Sequence, residues 1–479
     1  MEFVTPTVLW IPGAVVLIGV VVGLAAEAAK HRALGVGVIA VALMVAAVVC
    51  AWSAVKVSIS PAFGWMFLGG GGFSTVASVV YLLAGLSVAS GWRRAISTSR
   101  GGTVAGITAL SAVAIQLLTS TLDLLPAILA LEVVALAGYA LVSAAASRRS
   151  DEAALRYFVQ GGVAAGFTVL GLAVIYGVYG TTGYVRLFEI VDGGSRAAAF
   201  GMVLVLAAFA FKLGAVPFHS WAPDVYETAD ASVAGFLASA PKIGALMALL
   251  LLFPAGMFNE GRFPTATLAI AVMAAASIIL GNLGALRQSS LGRMLGYSGI
   301  AQVGYGLIGL AAGVTGYQAT ALFALTYAVG VATAFFVAEA VRERRPGWDG
   351  SIGGLSGLAA EAPFLAAAMV AALLSLTGIP LLIGFWGKLF VFVAAVSADL
   401  TWLAVIGVIG SVVSFGYYGA VIRSMYTRGV ETEENIPAGT RFSGRVACAV
   451  ALVAGLIVVV GGVGPLIAGL DVISRLLVF

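Results

Sequence analysis

Charge is scarce in this sequence. Only 10% of its 479 residues are Asp, Glu, Lys or Arg, whereas 61% are apolar. A soluble chain of this length needs far more charge on its surface, so lipid must be the solvent for most of the chain. The composition therefore excludes a soluble globular protein and predicts an all-α polytopic membrane protein.

Cysteine and histidine are also scarce. Cys50 and Cys448 lie far apart, as do His31 and His219, and none has ligand-spaced neighbours. This excludes iron–sulfur, haem and zinc patterns. No phosphate-binding glycine motif follows a strand pattern, and the isolated "GGGG" at 69–72 marks a span boundary. We predict no cofactor or metal in this chain, so any redox chemistry belongs to partner chains.

Long apolar runs dominate what remains. Fourteen of them are long enough to cross about 30 Å of hydrocarbon, and all should be helices because lipid offers backbone groups no other partners. The first run lacks a basic leader and a small-residue cleavage site, so we expect it to be a retained span. The predicted spans are 7–26, 33–52, 73–91, 102–120, 124–146, 158–180, 197–216, 231–254, 264–285, 297–314, 317–340, 363–397 (interrupted), 402–422 and 446–470.

The basic residues predict the orientation. With both termini outside, the inner connections hold seventeen Lys and Arg, the outer connections hold five, and three lie inside spans. Cytoplasmic loops carry such an excess, so the pattern supports fourteen spans with both termini outside. The net charge of +4 then reflects topology and indicates no nucleic-acid partner. No loop is long enough for a folded extramembrane domain, so 1–479 forms one transmembrane domain.

Four charges lie where hydrocarbon is expected. Lys212, Lys242 and Lys388 are three of only five lysines, and Glu132 lies within "AILALEVVALAGYALV". Each costs about 2.5–3.5 kcal/mol at mid-bilayer, which suggests a function. A buried lysine can become neutral, whereas arginine stays protonated. The alternative is structural: Glu132 and Lys212 can pair to fix helix packing, and a lysine near a span end can reach the interface.

Glycine and proline interrupt two of the spans beside these lysines. The first interruption is "FKLGAVPFHSW" after Lys212, and the second is "LTGIPLLIGFWGKLF" before Lys388. Such breaks at corresponding places in two halves are typical of inverted-repeat transporters. We interpret each break as the place where polar groups and water reach the lysine. His219 follows the first break, where a capping or water-bonded role competes with proton transfer.

The chain resembles the antiporter-like membrane subunits of respiratory complex I. The resemblance runs from about Leu117 to Tyr426 and rests on four stretches. These are "FKLGAVPFHSWAPDVYE", "APKIGAL", "NLGALRQSSLGRMLGYSGIAQVGY" and "LTGIPLLIGFWGKLFVF".

The resemblance implies a fold of fourteen helices in which 102–254 and 264–422 are inverted five-helix repeats, followed by a last span at 446–470. It also implies that Glu132 pairs with Lys212 and that Lys242 and Lys388 continue a hydrated polar axis for protons. Proton movement would be coupled to quinone reduction elsewhere in the complex. The implied partners are other membrane subunits, including antiporter-like ones, and subunits that carry quinone, FMN and iron–sulfur clusters. The implied location is the bacterial plasma (inner) membrane.

Three positions depart from the family pattern. Arg156 stands where relatives have a lysine, and because arginine does not release its proton we interpret it as an interfacial or field-setting charge. Gln302 replaces a histidine, so the path there must run through water. "TADASV" replaces a Gly-Ala-Pro-Thr-Pro run, which leaves the geometry around Asp230 open.

We predict that Glu132 and Lys212 form a switchable ion pair, and that Lys242 and Lys388 alternate between charged and neutral states. Two other classes of function stay open. One is an Mrp-type cation/proton antiporter subunit, or the equivalent subunit of a complex that oxidises a deazaflavin, ferredoxin or hydrogen. The other is a structural scaffold, which the four buried charges disfavour.

Overall fold

Helices make up nearly all of the described chain. The computed structural model describes residues 4–56, 60–62, 66–69, 71–190, 195–252, 264–427 and 445–468. The first eleven helices are α1 (Val4–Ala28), α2 (Arg32–Lys56), α3 (Gly71–Ser90), α4 (Trp92–Ser97), α5 (Gly101–Ser120), α6 (Leu124–Ser143), α7 (Arg148–Tyr179), α8 (Tyr184–Ile190), α9 (Arg196–Leu213), α10 (Trp221–Thr228) and α11 (Ala231–Leu252). The others are α12 (Pro264–Ala285), α13 (Leu291–Ala311), α14 (Val314–Arg344), α15 (Leu358–Glu361), α16 (Pro363–Thr377), α17 (Ile383–Ser397), α18 (Thr401–Tyr426) and α19 (Arg445–Ala468).

The predicted all-α membrane architecture is confirmed, but the count of fourteen spans is not. Every predicted span overlaps a helix, yet in the described residues eleven helices are long and apolar enough to cross a membrane. The helix α13 is not among them, and α16, α17 and the segment Val446–Gly461 of α19 are apolar but shorter. The number of crossings therefore stays a prediction.

Two local features differ from the expected spans. A small antiparallel hairpin joins β1 (Ser60–Ala62) to β2 (Phe67–Gly69) between the second and third predicted spans. The helix α7 begins at Arg148, well before the predicted span 158–180, because Ser147 and Ser150 form a reciprocal capping box. As predicted, the glycine run at 69–72 marks a boundary, since α3 begins at Gly71.

The most enclosed helices lie at the centre of the bundle. In the most apolar stretch of α11, 94% of residues are buried, and the corresponding share is 83% in α14. By contrast, the corresponding shares are 33% in α1, 28% in α7 and 33% in α18. Among the eleven long apolar helices of the described residues, the one that carries Lys242 is the most deeply buried, as expected for an ionisable side chain.

Both predicted helix breaks are present. The helix α9 ends at Leu213 with Gly214 at φ 72°, and α16 ends at Thr377 with Gly378 at φ 93°. Both values lie in the left-handed region that glycine adopts at helix ends without a steric penalty. After each break a new helix begins, α10 in the first case and α17 in the second.

Side chains from elsewhere satisfy the backbone at these breaks. The Trp221 indole N–H donates to the Phe211 carbonyl oxygen at 3.0 Å. Ser277 accepts the Val216 N–H and Ser375 accepts the Gly384 N–H, both at 3.0 Å. Interrupted helices persist inside a membrane protein only where such partners are available.

Candidate functional site

Lys242 lies at the centre of the molecule. Its side chain extends from α11 and the residue is 1% exposed. The amine donates a hydrogen bond to the Gly299 carbonyl oxygen of α13 at 3.1 Å. The rings of Tyr226 and Tyr327 lie 5.6 and 5.7 Å from the amine nitrogen, within the range of a cation–π interaction. This environment contains neutral polar groups and aromatic faces, which can accommodate either protonation state of the lysine.

Lys388 is held by the second helix break. The residue is 4% exposed, and its amine donates to the Thr377 carbonyl oxygen and to the Ser411 hydroxyl, both at 3.1 Å. The Tyr305 ring lies 4.2 Å from the amine nitrogen. Thr377 is the last residue of α16, so the break delivers a free backbone carbonyl to the lysine. The hypothesis that the break supplies polar groups is confirmed for this lysine.

Lys212 occupies the last turn of α9, directly before the first break. The residue is 3% exposed, and within the described residues its amine has no hydrogen-bond partner. Glu132, half-buried on α6, is the carboxylate whose charge acts on this amine. None of the ion pairs among the described residues joins the two side chains. In the described residues the two side chains are therefore not in direct contact as an ion pair, and the predicted pairing stays a prediction.

His219 lies in the segment between α9 and α10. It is half-buried, and within the described chain its Nδ1 atom has no hydrogen-bond partner. The same break thus places two unpaired nitrogen groups, Lys212 and His219, close along the chain. Each of these two atoms needs a partner such as a bound water, because a buried polar atom without one is costly.

Sequence reasoning missed a hydroxyl and amide network beside Lys388. Ser411 donates to the Tyr305 hydroxyl at 3.2 Å, and Tyr417 donates to the Asn282 side-chain oxygen at 3.0 Å. Ser298 and Tyr418 form a further buried hydrogen bond. The signal available in the sequence was the pair of tyrosines in "SFGYYG" inside an apolar span. Buried hydroxyl groups need partners, so such a pair indicates a polar interior.

Gln302 and Arg156 have different environments. Gln302 is 1% exposed and donates to the Leu376 carbonyl oxygen at 2.8 Å, so it lies next to the second break. The side chain of Arg156 is 58% exposed and pairs with Glu152 at 2.6 Å and Asp224 at 3.3 Å. Its position agrees with the interpretation of an interfacial charge.

A second group of charges surrounds Asp230. Asp230 forms an ion pair with Arg94 of α4. This pair shows the local geometry around Asp230 that the departure of "TADASV" from the family pattern had left open. Glu339 of α14 is 3% exposed and accepts a hydrogen bond from the Ser232 N–H at 3.2 Å. Sequence reasoning missed Glu339 because it lies at the end of the predicted span 317–340, where interfacial charges are common.

No metal centre emerges from the described residues. Within these ranges no three His, Cys, Asp or Glu side chains lie together as a metal site requires. The site consists of amines, a carboxylate, hydroxyl groups and amides, so the chemistry that it can perform itself is proton transfer.

Ionisable groups beside two interrupted transmembrane helices define the broad class of ion-translocating membrane proteins. The chain matches the family model described as "NADH:quinone oxidoreductase/Mrp antiporter, TM" over residues 121–414, which is more than half of its length. The chain belongs to this family. The resemblance in the sequence is thereby confirmed.

Individual relatives agree with this assignment. The chain is 41% identical over 347 residues to NADH-quinone oxidoreductase subunit N of Sphingopyxis alaskensis, covering 71% of this chain and 72% of the relative. A chain of respiratory complex I from Thermus thermophilus with bound aureothin superposes with a TM-score of 0.80 at 28% identity, covering 97% and 99% of the two chains. A chain of the Mrp complex from Dietzia sp. has a TM-score of 0.83 at 22% identity over 98% and 97%, which shows a shared fold.

Proposed function

We propose that this chain is the subunit N type of proton-translocating subunit in the membrane arm of a bacterial NADH:quinone oxidoreductase. It moves protons across the plasma (inner) membrane while other subunits reduce quinone. The main support is the enclosure of Lys212, Lys242 and Lys388, which are 3%, 1% and 4% exposed in helices of a membrane protein. Stability alone gives no reason to keep three amines there.

The path begins, in this proposal, at Glu132 and Lys212. When the two side chains pair, the charge of Lys212 is neutralised, and when the pair opens, the charge repels a proton on Lys242. Two unit charges in a protein interior interact by several kcal/mol, whereas moving one charge through 100 mV requires about 2.3 kcal/mol. An interaction of this size is comparable with the energy that the membrane potential demands, so in this proposal the pair biases a proton from Lys242 toward Lys388.

The two broken helices support the proposed repeat arrangement. Residues 102–254 contain the break after Lys212, and residues 264–422 contain the break before Lys388. In both cases a left-handed glycine ends the helix beside the lysine. We assign these ranges to two inverted repeats, with 446–470 as the last span and both termini on the outer side.

The partners follow from the same assignment. Other membrane subunits of the complex, among them antiporter-like subunits, contact this chain within the lipid bilayer. Quinone, FMN and iron–sulfur clusters are held by partner subunits, and the redox reaction takes place there. This chain contributes proton translocation to the enzyme.

Replacement of Lys242 tests the proposal. In the assembled complex, Lys242→Ala should abolish proton pumping in inverted vesicles while the subunits still copurify. Lys242→Arg, which retains the charge but does not release its proton, should fail in the same way. Arg186→Ala, at an exposed pair with Glu189, is the matched control. Pumping at the wild-type proton-to-electron ratio in both Lys242 variants would contradict the assignment.

The Mrp-type alternative predicts a different result. The shared fold with the Mrp complex motivates this comparison. Such an antiporter subunit would support sodium-dependent proton flux in vesicles without any redox donor, and it would copurify with other antiporter subunits. Copurification with flavin and iron–sulfur proteins would instead support the NADH dehydrogenase assignment.

A further inference from the structure

A pair of buried carboxylates lies at one end of the central helices. Asp230 precedes α11, and Glu339 lies near the carboxyl end of α14. The side chain of Asp230 is 15% exposed, and Glu339 is 3% exposed. We call these two residues the inner carboxylates, because Arg94 and Arg342 beside them belong to the basic connections that the charge pattern places on the cytoplasmic side.

Charges of both signs face the inner carboxylates. Arg94 of α4 pairs with Asp230, and Arg342 of α14 acts on both carboxylates. Glu343 lies one helical turn after Glu339, and the two repel each other. Burial raises the pKa of Asp230, and Arg94 and Arg342 partly oppose this rise. Arg93 acts in turn on Glu343, so three carboxylates and three arginines lie together. Carboxylates this close to one another can share a proton.

A cavity that opens to the surface is lined by one of the inner carboxylates, Asp230. Its volume is about 350 Å³, and Asp230, Arg94 and Ser232 line it together with the polar residues Ser87, Arg100 and Thr108. The Ser232 N–H is hydrogen-bonded to Glu339, so the cavity wall is in direct contact with the buried carboxylate. The cavity has room for several water molecules, and its polar lining offers them partners.

The same two helices carry the inner carboxylates and Lys242. Along α11, Ser232 and Lys242 are separated by about 15 Å, from a rise of 1.5 Å per residue. Along α14, Glu339 is followed toward the membrane centre by Phe336, Phe335 and then Tyr327, whose ring faces Lys242. The two helices share one seam, with a carboxylate at its end and the lysine at its middle.

Along this seam, an apolar barrier lies between Glu339 and Lys242. Phe335 and Phe336 are 2% and 0% exposed, and they pack on Gly235 of α11. A Cβ atom at Gly235 would lie only 3.0 Å from the Phe335 Cβ atom. Glu339 thus lies directly behind the cavity wall, hydrogen-bonded to Ser232, whereas the close contact between Gly235 and the phenylalanines leaves no room for water.

We propose that Glu339 is a proton-binding residue at the cytoplasmic entrance of the path to Lys242, filled from the cavity past Asp230. This inference rests on the proposed function and extends it. The ionised Glu339 carboxylate accepts a proton from water in the cavity and becomes neutral. When side-chain motion of Phe335 and Phe336 admits water, the proton passes to the neutral Lys242 amine, and the carboxylate becomes ionised again.

A structural role is the competing explanation. Glu339 accepts the N–H of Ser232 in the first turn of α11, and Asp230 precedes that helix, so both side chains can simply cap it. Glu339→Gln distinguishes the two roles. The amide oxygen of glutamine can still accept the Ser232 N–H, but glutamine does not bind and release a proton.

The test measures proton pumping and NADH oxidation of the assembled complex in inverted vesicles. Glu339→Gln should lower pumping by about a hundredfold, the lower range for loss of a positioned proton-transfer group, with normal subunit copurification. Asp349→Asn, an exposed carboxylate of the connection after α14, is the control and should pump normally. Normal pumping by Glu339→Gln together with loss of pumping in Lys242→Ala would overturn this inference and leave the proposed function intact.

Infrared difference spectroscopy provides a readout that is independent of activity. During turnover, wild-type complex should show a change in the carbonyl stretching band of a protonated carboxylic acid. This band should disappear in Glu339→Gln, shift in Glu339→Asp and persist in Asp349→Asn. If Glu339→Gln does not assemble, Glu339→Asp decides the question, because it retains a titratable group of altered frequency. A band that is unchanged in Glu339→Asp would overturn the inference.

Discussion

Lys388 donates a hydrogen bond to the carbonyl oxygen of Thr377 at 3.1 Å, across the break between α16 and α17. A continuous helix would use this carbonyl for its own backbone hydrogen bond. The break releases it, and Gly378 in the left-handed region directs the chain away. The interruption therefore provides a carbonyl oxygen for the Lys388 amine. This carbonyl stabilises the charged lysine, and the neutral lysine can still donate a hydrogen bond to it.

Substitution of Gly378 should disturb this arrangement. The glycine has φ 93°, and a Cβ atom there would lie 3.0 Å from Lys388 Cδ. Gly378→Ala should cost about 1–2 kcal/mol for the left-handed backbone and should displace the lysine. We expect proton pumping to fall severalfold while NADH oxidation continues, as measured by the proton-to-electron ratio in vesicles.

Gly347→Ala is the matched control for that experiment. Gly347 has an ordinary φ, and no atom lies within 4 Å of a Cβ placed there. This variant should pump as wild type does. Equal behaviour of Gly378→Ala and Gly347→Ala would show that the geometry of the break does not matter for pumping.

The two helix breaks and the buried lysines could be predicted because their signals are local. A glycine and a proline within an apolar run interrupt a helix wherever it lies, and a lysine in such a run is costly in any fold. The start of α7 was also encoded locally, in the Ser147 and Ser150 capping box, but hydropathy alone placed it too late. Hydropathy identifies where lipid begins, whereas capping identifies where the helix begins.

The partners of the lysines could not be predicted, because they come from distant parts of the chain. Ser411 and Tyr305 reach Lys388 only after α13, α17 and α18 have packed together. The burial of Glu339 could not be predicted either, since a glutamate at the end of an apolar run is ordinarily an interfacial charge. Its burial results from the position of α14 at the centre of the bundle.

The hydroxyl of Tyr305 should contribute separately from its ring. The Ser411 hydroxyl links Lys388 to the Tyr305 hydroxyl. It accepts a hydrogen bond from the Lys388 amine at 3.1 Å and donates one to the Tyr305 hydroxyl at 3.2 Å. Tyr305→Phe removes the hydroxyl but keeps the ring face 4.2 Å from the amine. We expect a moderate loss of pumping in Tyr305→Phe and a larger loss in Tyr305→Leu, because a cation–π contact contributes about 0.5–2 kcal/mol. Identical rates in the two variants would indicate that the ring makes no contribution.

The influence of the Glu132 charge on Lys212 leads to a charge-specific prediction. Glu132→Gln removes the negative charge that acts on Lys212 while keeping a side chain of similar size. We expect loss of pumping with intact assembly. Lys212→Arg preserves the positive charge, so it should retain the electrostatic switch and lose less activity than Lys212→Ala. If Lys212→Arg and Lys212→Ala are equally inactive, the role of Lys212 is proton release and not its field.

Asp224 should stabilise the segment that follows the first break. It pairs with Arg293 of α13 at 2.5 Å and with Arg156 of α7 at 3.3 Å, so it ties the short helix α10 to two neighbours. These side chains are partly exposed, so each pair is worth about 0.2–1 kcal/mol. Asp224→Ala should therefore lower the thermal inactivation midpoint of the complex more than Glu152→Ala, which removes only one exposed pair with Arg156.

Salt provides the internal check on this interpretation. Screening weakens exposed ion pairs, since the Debye length falls from about 10 Å at 0.1 M to about 3 Å at 1 M ionic strength. The difference between Asp224→Ala and wild type should therefore shrink at high salt. A difference that stays constant would mean that Asp224 acts through packing of α10 on α13, where Gly292 and Gly296 admit the backbone of Tyr226 and Pro223. In that case Asp224→Asn should behave as wild type, because asparagine is close to aspartate in size.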